Sequence, residues 1–133
     1  MAISIKGILV GLVCGFVVSL VGGMAVGFVM AALYGPESME ELMGISSHTL
    51  TAPMFFLDAI SSVVAGYVAA RVAGRGELIN AVLCNLLGGG IGLLMGMAMS
   101  PEALTTSLIV LVTEPMFGLL GGYIRLRQVA EYA

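Results

Sequence analysis

Two carboxylic acids stand inside long apolar runs of this chain, where an ionised side chain is expensive and commonly marks an ion or substrate path. Each leads the same short pattern. Asp58 is followed by Gly66, Tyr67 and Arg71, and Glu114 by Gly122, Tyr123 and Arg127, with an offset of 56 at all four positions. A carboxyl removed from water favours its neutral form, and two carboxyls close together cannot both ionise cheaply. Such a pair can exchange a proton for a cation or a cationic solute. Within this chain no basic residue falls at the same depth, so an internal salt bridge is not expected. The competing role is interhelical hydrogen bonding. Asp58, five residues past Pro53, can also lie in the headgroup layer.

The surrounding residues extend this candidate site. Thr113 neighbours Glu114, and Pro115 removes the N–H that the Leu111 carbonyl would have accepted. Ser61 and Ser62 lie one turn below Asp58, within hydrogen-bonding reach of its carboxylate. Both acids precede an arginine by 13 residues, which places them about 20 Å from that arginine along a helix. This is roughly two-thirds of the way across a ~30 Å hydrocarbon core. Ser19 stands at the same remove from Lys6. The expected ligand- or ion-binding set is therefore Glu114, Asp58, Thr113, Ser62 and Ser19.

The elements that must position these groups are membrane helices. Of the 133 residues 59% are hydrophobic and 10% charged, and the mean hydropathy is +1.11. A soluble domain is nearer 45–50% apolar and about 25% charged. Four runs suit a span of about 20 residues: 8–33, 54–72, 78–99 and 104–126. The first is too long for the h-region of a signal peptide and is read as a retained helix. The expected fold is an all-α four-helix transmembrane bundle forming one domain over 1–133, built from two parallel-repeat helical hairpins with halves 1–74 and 75–133. The duplication rests on the second and fourth helices, because the first and third align poorly at any single offset.

Orientation follows from charge. With four spans, Lys6, Arg71, Arg75, Arg125 and Arg127 all fall on the side of the N-terminus, while Glu37, Glu40, Glu41 and Glu102 fall opposite. The positive-inside rule puts both termini in the cytoplasm, and the expected location is the plasma membrane of a prokaryote. Tyr67, Tyr123, Arg71 and Arg127 then read as interfacial anchors. In the outer loop, Ser38 and Glu41 have capping-box spacing, which predicts a short interfacial helix.

Small residues recur every fourth position. The first helix carries Gly7, Gly11, Gly15, Ser19, Gly23 and Gly27, and the third Cys84, Gly88, Gly92, Gly96 and Ser100. Asp58, Ser62 and Gly66 share one such ridge, and Glu114, Gly118 and Gly122 another. Small residues at this spacing let helix backbones approach closely, so these ridges are the expected packing faces. The acids on them should point at other helices or an internal cavity.

Other functions are excluded or unsupported. Five basic residues and a net charge of −3 leave no basic patch for nucleic acid. His48 is the single histidine, and no nucleophile motif, P-loop or dinucleotide fingerprint occurs. No enzyme activity, metal or cofactor is expected. Cys14 and Cys84 read as small packing residues with weak S–H donors. The expected partners are the lipid bilayer and either further copies of the chain or other membrane subunits. The two functions weighed are a small transporter or channel subunit for a proton, cation or cationic solute, and a non-transporting scaffold that docks through its glycine ridges.

The segments 64–71 (Val-Ala-Gly-Tyr-Val-Ala-Ala-Arg) and 120–127 (Leu-Gly-Gly-Tyr-Ile-Arg-Leu-Arg) resemble a motif of small four-span prokaryotic membrane proteins of uncharacterised function. Those proteins carry Gly-Gly-[Phe/Tyr]-x-Ala-Ala-Arg at cytoplasmic helix ends. The resemblance implies a compatible architecture and no particular activity.

Overall fold

A computed structural model describes residues 2–34, 48–99 and 104–131. They form four helices: α1 (Ile5–Tyr34), α2 (His48–Ala73), α3 (Glu77–Met99) and α4 (Leu104–Glu131). Each is long and apolar enough to cross a membrane, over Ile5–Leu33, Ala52–Ala73, Glu77–Met95 and Leu108–Glu131. The expected short outer-loop helix lies outside the described residues. Two helix limits differ from the sequence reading by five residues or more. Helix α2 starts at His48 and carries Pro53 as its sixth residue, past the free N–H groups of the first turn; one hydrogen bond is lost there, which a membrane helix packed against neighbours tolerates. Helix α4 runs past Leu126 to Glu131.

The helix ends are capped by local chemistry. The Ser4 hydroxyl accepts from the Gly7 N–H at 3.1 Å, and its carbonyl accepts from the Ile8 N–H at 3.0 Å, which together make Ser4 the N-cap of α1. Gly74 closes α2 at φ 64°, donating to the Ala70 carbonyl at 3.2 Å, a left-handed cap that favours glycine. Gly76, at φ 61°, precedes α3 and accepts from the Asn80 N–H.

Helices α2 and α3 form the central pair. Helices α1 and α4 each pack on both of them. The core is made of small residues: Ala65, Ala69, Ala70, Ala81 and Cys84 are buried, with Ile8 beside them. Glycine sits where backbones cross. A Cβ on Gly11 would lie 2.7 Å from the Ala65 carbonyl oxygen, 2.8 Å from the Ala69 Cβ and 2.8 Å from the Cys84 sulfur. That one position therefore fits against α2 and α3 together. A Cβ on Gly66 would strike the Gly118 backbone, and one on Gly121 would strike the Val63 carbonyl, which fixes α2 against α4. Gly118 and Gly122 also lie under Asn85 and Ala81 of α3. At Gly23, Gly27, Gly90 and Gly92 a Cβ would meet nothing within 4 Å, so the close packing expected along these ridges does not extend to them inside the chain. The packing of Gly96 lies outside what is described.

Asn80 fastens the N-terminal end. It is fully buried, and its amide oxygen accepts from the Ser4 N–H at 2.7 Å. Its amide nitrogen faces the carbonyls of Ala2, Arg75 and Gly76 at 3.1, 3.1 and 2.8 Å, so two hydrogens serve three acceptors. The start of α1 and the α2–α3 turn are thereby held by one side chain. Helices α2 and α4 are further joined by an edge-to-face contact of Phe55 with Phe117, centroids 6.0 Å apart, and by the Tyr67 hydroxyl donating to Gln128 at 2.8 Å.

Two substitutions separate crossing glycines from free ones. Gly66→Ala should destabilise the bundle by about 1–3 kcal/mol through overpacking, whereas Gly90→Ala, which meets open space, should be neutral or slightly stabilising. Asn80→Leu should cost about 2–4 kcal/mol by leaving its buried partners unbonded. Unfolding of the purified protein in detergent, followed by helical circular dichroism, checks all three. Equal effects of the two glycine substitutions would contradict the crossing geometry.

Candidate functional site

The site begins with a change in spacing between α1 and α3. At one end these helices touch in a constant register: Ser4 with Asn80, Ile8 with Cys84, and Leu12 facing Gly88. The Cys84 thiol donates to the Ile8 carbonyl at 3.6 Å and lies 4.0 Å from that of Ala65, a packing cysteine with a weak S–H donor. One step further along the same register Phe16 would meet Gly92, but Gly92 has no neighbour within 4 Å. The two helices have parted.

A cleft of about 460 Å³ fills the gap. Helix α1 supplies Leu12, Val13, Gly15, Phe16 and Ser19. Helix α2 supplies Ser61, Ser62 and Ala65 as the floor, and α3 supplies Cys84, Asn85, Gly88, Ile91, Gly92 and Met95. Helix α4 contributes one residue, Glu114. Its carboxylate reaches the cleft across the glycine run of α3, and Oε2 lies 3.8 Å from where a Cβ on Gly88 would be and 2.6 Å from one on Gly89. Any side chain at Gly89 would therefore compete with the acid for its place. Neither an ion pair nor a hydrogen bond involves the Glu114 carboxylate among the described residues, and no basic residue lines the cleft.

The remaining polar groups are few. Ser62 and Asn85 are each 4% exposed. Asn85 donates its amide to the Ala81 carbonyl at 3.0 Å, which leaves its amide oxygen without a donor among the described residues. The rim is apolar and faces outward: Val13, Phe16 and Met95 are 63%, 69% and 62% exposed.

The structure thus brings together Glu114, Ser62 and Ser19 of the expected set, and leaves two members elsewhere. Thr113 is turned away. Its hydroxyl lies 3.0 Å from the Ile109 carbonyl and 3.2 Å from that of Val110, bonding back to its own helix, and it borders a separate shallow groove with Leu108 and Val112. Asp58 does not line the cleft. Ser61 donates to the Asp58 backbone carbonyl at 2.9 Å rather than to its carboxylate, since a helical serine reaches the preceding turn's carbonyl more easily than a side chain that projects away. Leu111, the carbonyl freed by Pro115, packs against Gly89 and is not a cleft residue.

Sequence reasoning missed Asn85 as a cleft wall. The available signal was an amide inside an apolar run, five residues beyond the clamp Asn80. The two Gly-Tyr-Arg copies also diverge. Tyr67 is tied to Gln128, whereas Tyr123 is exposed with the Arg127 guanidinium 5.7 Å over its ring, a cation–π contact.

No group of three or more His, Cys, Asp or Glu residues able to hold a metal ion occurs among the described residues. Comparisons with protein-family profiles, with curated proteins and with solved structures found no match to this chain.

The contact of Gly89 with Glu114 can be checked directly. Gly89→Ala should displace the carboxyl while leaving the helices assembled, and Gly90→Ala should not. The Glu114 carboxyl stretch in the infrared, assigned by its loss in Glu114→Gln, should shift in the first variant only.

Proposed function

We propose that this chain is the cation- or proton-binding subunit of a small transporter or channel in a prokaryotic plasma membrane, with Glu114 as the binding carboxylate. The carrying observation is an acid aimed into a cleft between membrane-length helices with no basic partner. A carboxyl so placed can hold a proton, or release it to a cation that takes its position. Asp58 is an auxiliary charge that acts through space on Glu114 and does not touch the ligand. Both termini lie in the cytoplasm on this reading, as the distribution of Lys6, Arg71, Arg75, Arg125 and Arg127 requires. The same-direction order of the α2–α4 contacts, from Phe55–Phe117 to Tyr67–Gln128, supports two parallel hairpins derived by duplication. The chain works as a homo-oligomer or with other membrane subunits.

One observation favours the scaffold reading instead. Gly23 and Gly27 leave part of α1 uncovered and thin-walled, a surface on which another membrane helix can pack closely.

Purified protein in liposomes separates the two. Proton or alkali-cation flux should be present in the wild type and fall by at least about tenfold in Glu114→Gln, since binding and release of one charge-assisted partner is lost. Asp58→Asn should reduce it less. An inert wild type that co-purifies with a stable membrane partner would replace the transport reading by the scaffold one. Topology has its own check: alkaline phosphatase should be active when fused after residue 45 and inactive when fused at the C-terminus.

A further inference from the structure

The cleft's shape and chemistry restrict what Glu114 can hold. A cavity of about 460 Å³ falls in the size range that buries drug-sized organic ligands, roughly 300–1,000 Å³. A dehydrated alkali ion would leave almost all of it for water, at about 30 Å³ per molecule, against walls made mostly of Leu12, Phe16, Ile91 and Met95. The polar side chains of the lining, Ser19, Ser61, Ser62, Asn85 and Glu114, are too few to hold that much water, because each molecule needs two to four polar partners. A divalent cation is a poor fit as well. It prefers several oxygen ligands with matching charge, and the cleft holds one carboxylate with Asp58 outside it.

The direction of access follows from the rim. Val13, Phe16 and Met95 are exposed side chains of α1 and α3, positioned within the membrane-length stretches of both helices. The gap between these helices therefore opens sideways towards hydrocarbon. At its inner end lie the single acid, the nearly buried Ser62 and the Asn85 amide oxygen, which receives no donor among the described residues. The arrangement has an apolar mouth and a small acceptor-rich base.

From these features we infer that the α1–α3 cleft binds an amphiphilic organic cation of single charge, taken laterally from the bilayer. Its cationic head lies against Glu114 and Asn85, and its apolar body lies between Phe16, Ile91 and Met95. The inference rests on the reading of Glu114 as a cation-binding carboxylate and adds the ligand's class and its route. Gly92 matters here because it leaves room for the body: a Cβ there meets nothing within 4 Å.

The test uses the full chain in lipid nanodiscs, with tetraphenylphosphonium as the probe and equilibrium dialysis as the readout. Saturable binding is expected, weakened at least about tenfold by Glu114→Gln, as for loss of one partner of a desolvated charge pair. Glu114→Asp, which retains the charge, should stay within a few-fold of the wild type. Tetraphenylborate, of similar shape and opposite charge, should show no saturable binding when measured alone in place of the probe. Gly92→Leu should fill the mouth and weaken probe binding, whereas Gly90→Ala, outside the cleft lining, should leave it unchanged. Wild-type protein that shows only non-saturable partition of the probe, yet retains Glu114-dependent flux, would overturn this inference and leave the carboxylate reading standing. Probe binding indifferent to Glu114→Gln, or equal saturable binding of tetraphenylborate measured alone, would also overturn it. Absence of both probe binding and flux would remove both readings.

Discussion

Close backbone contact through glycine and alanine is the interaction on which the rest of this molecule depends. Helices in lipid gain nothing from hiding apolar side chains from one another, because the surrounding chains are equally apolar. Association has to come from dispersion contacts, and these are large only when surfaces meet without a gap. The junction at Gly11 shows the solution: its missing Cβ lets α1 settle on Ala65 and Ala69 of α2 and on the Cys84 sulfur of α3. Gly66 against Gly118, and Gly121 against Val63, do the same between α2 and α4. Among the described residues no aromatic or methionine side chain is buried in the core, and Phe16, Met24, Phe28 and Met116 are directed outward.

The same constraint creates the cleft. Tight packing over Gly7, Gly11 and Gly15 stops where its supporting residues stop. Helix α1 then continues with only Leu57 of α2 close to Gly22 and nothing close to Gly23 or Gly27. Since α3 stays with α4 through Gly89, Gly118 and Gly122, it cannot follow α1, and a gap opens between them. Glu114 reaches this gap only because Gly88 and Gly89 remove the side chains that would stand between α4 and the cleft. A run of three glycines, unremarkable as a helix-forming sequence, serves here as a window.

The four spans were legible from hydropathy and their limits from turn residues, because membrane thickness sets helix length almost independently of packing. The start of α2 and the end of α4 were the exceptions: a packed membrane helix tolerates a proline past its first turn, and α4 continues beyond its last apolar residues to Glu131. The acids were legible as candidates for the same reason: their cost in an apolar layer is a property of one residue. Partnership was not legible. Thr113 is adjacent to Glu114 in sequence, yet it points about a quarter-turn away along a helix with 3.6 residues per turn and bonds to its own backbone. Asp58 shares a ridge with Gly66, but the direction of a ridge says nothing about which neighbour covers each part of it. The four-residue spacing of Gly7, Gly11, Gly15, Gly23 and Gly27 likewise continues unchanged from the packed half of α1 to the uncovered half. What distinguishes the halves is the path of α3, which is not encoded in α1.

Asn80 has a consequence for the order in which this protein can be built. The start of α1 is capped by its own Ser4, but the backbone just before it is held by a side chain that lies two helices later in the chain. When the first hairpin has been synthesised, that holder does not yet exist. Helices α1 and α2 must therefore enter the bilayer with their N-terminal end untied, and the tie forms only after the beginning of α3 has emerged. Helix α4, which follows α3 in the chain, then brings the carboxylate to a frame that is already fastened at one end and open at the other.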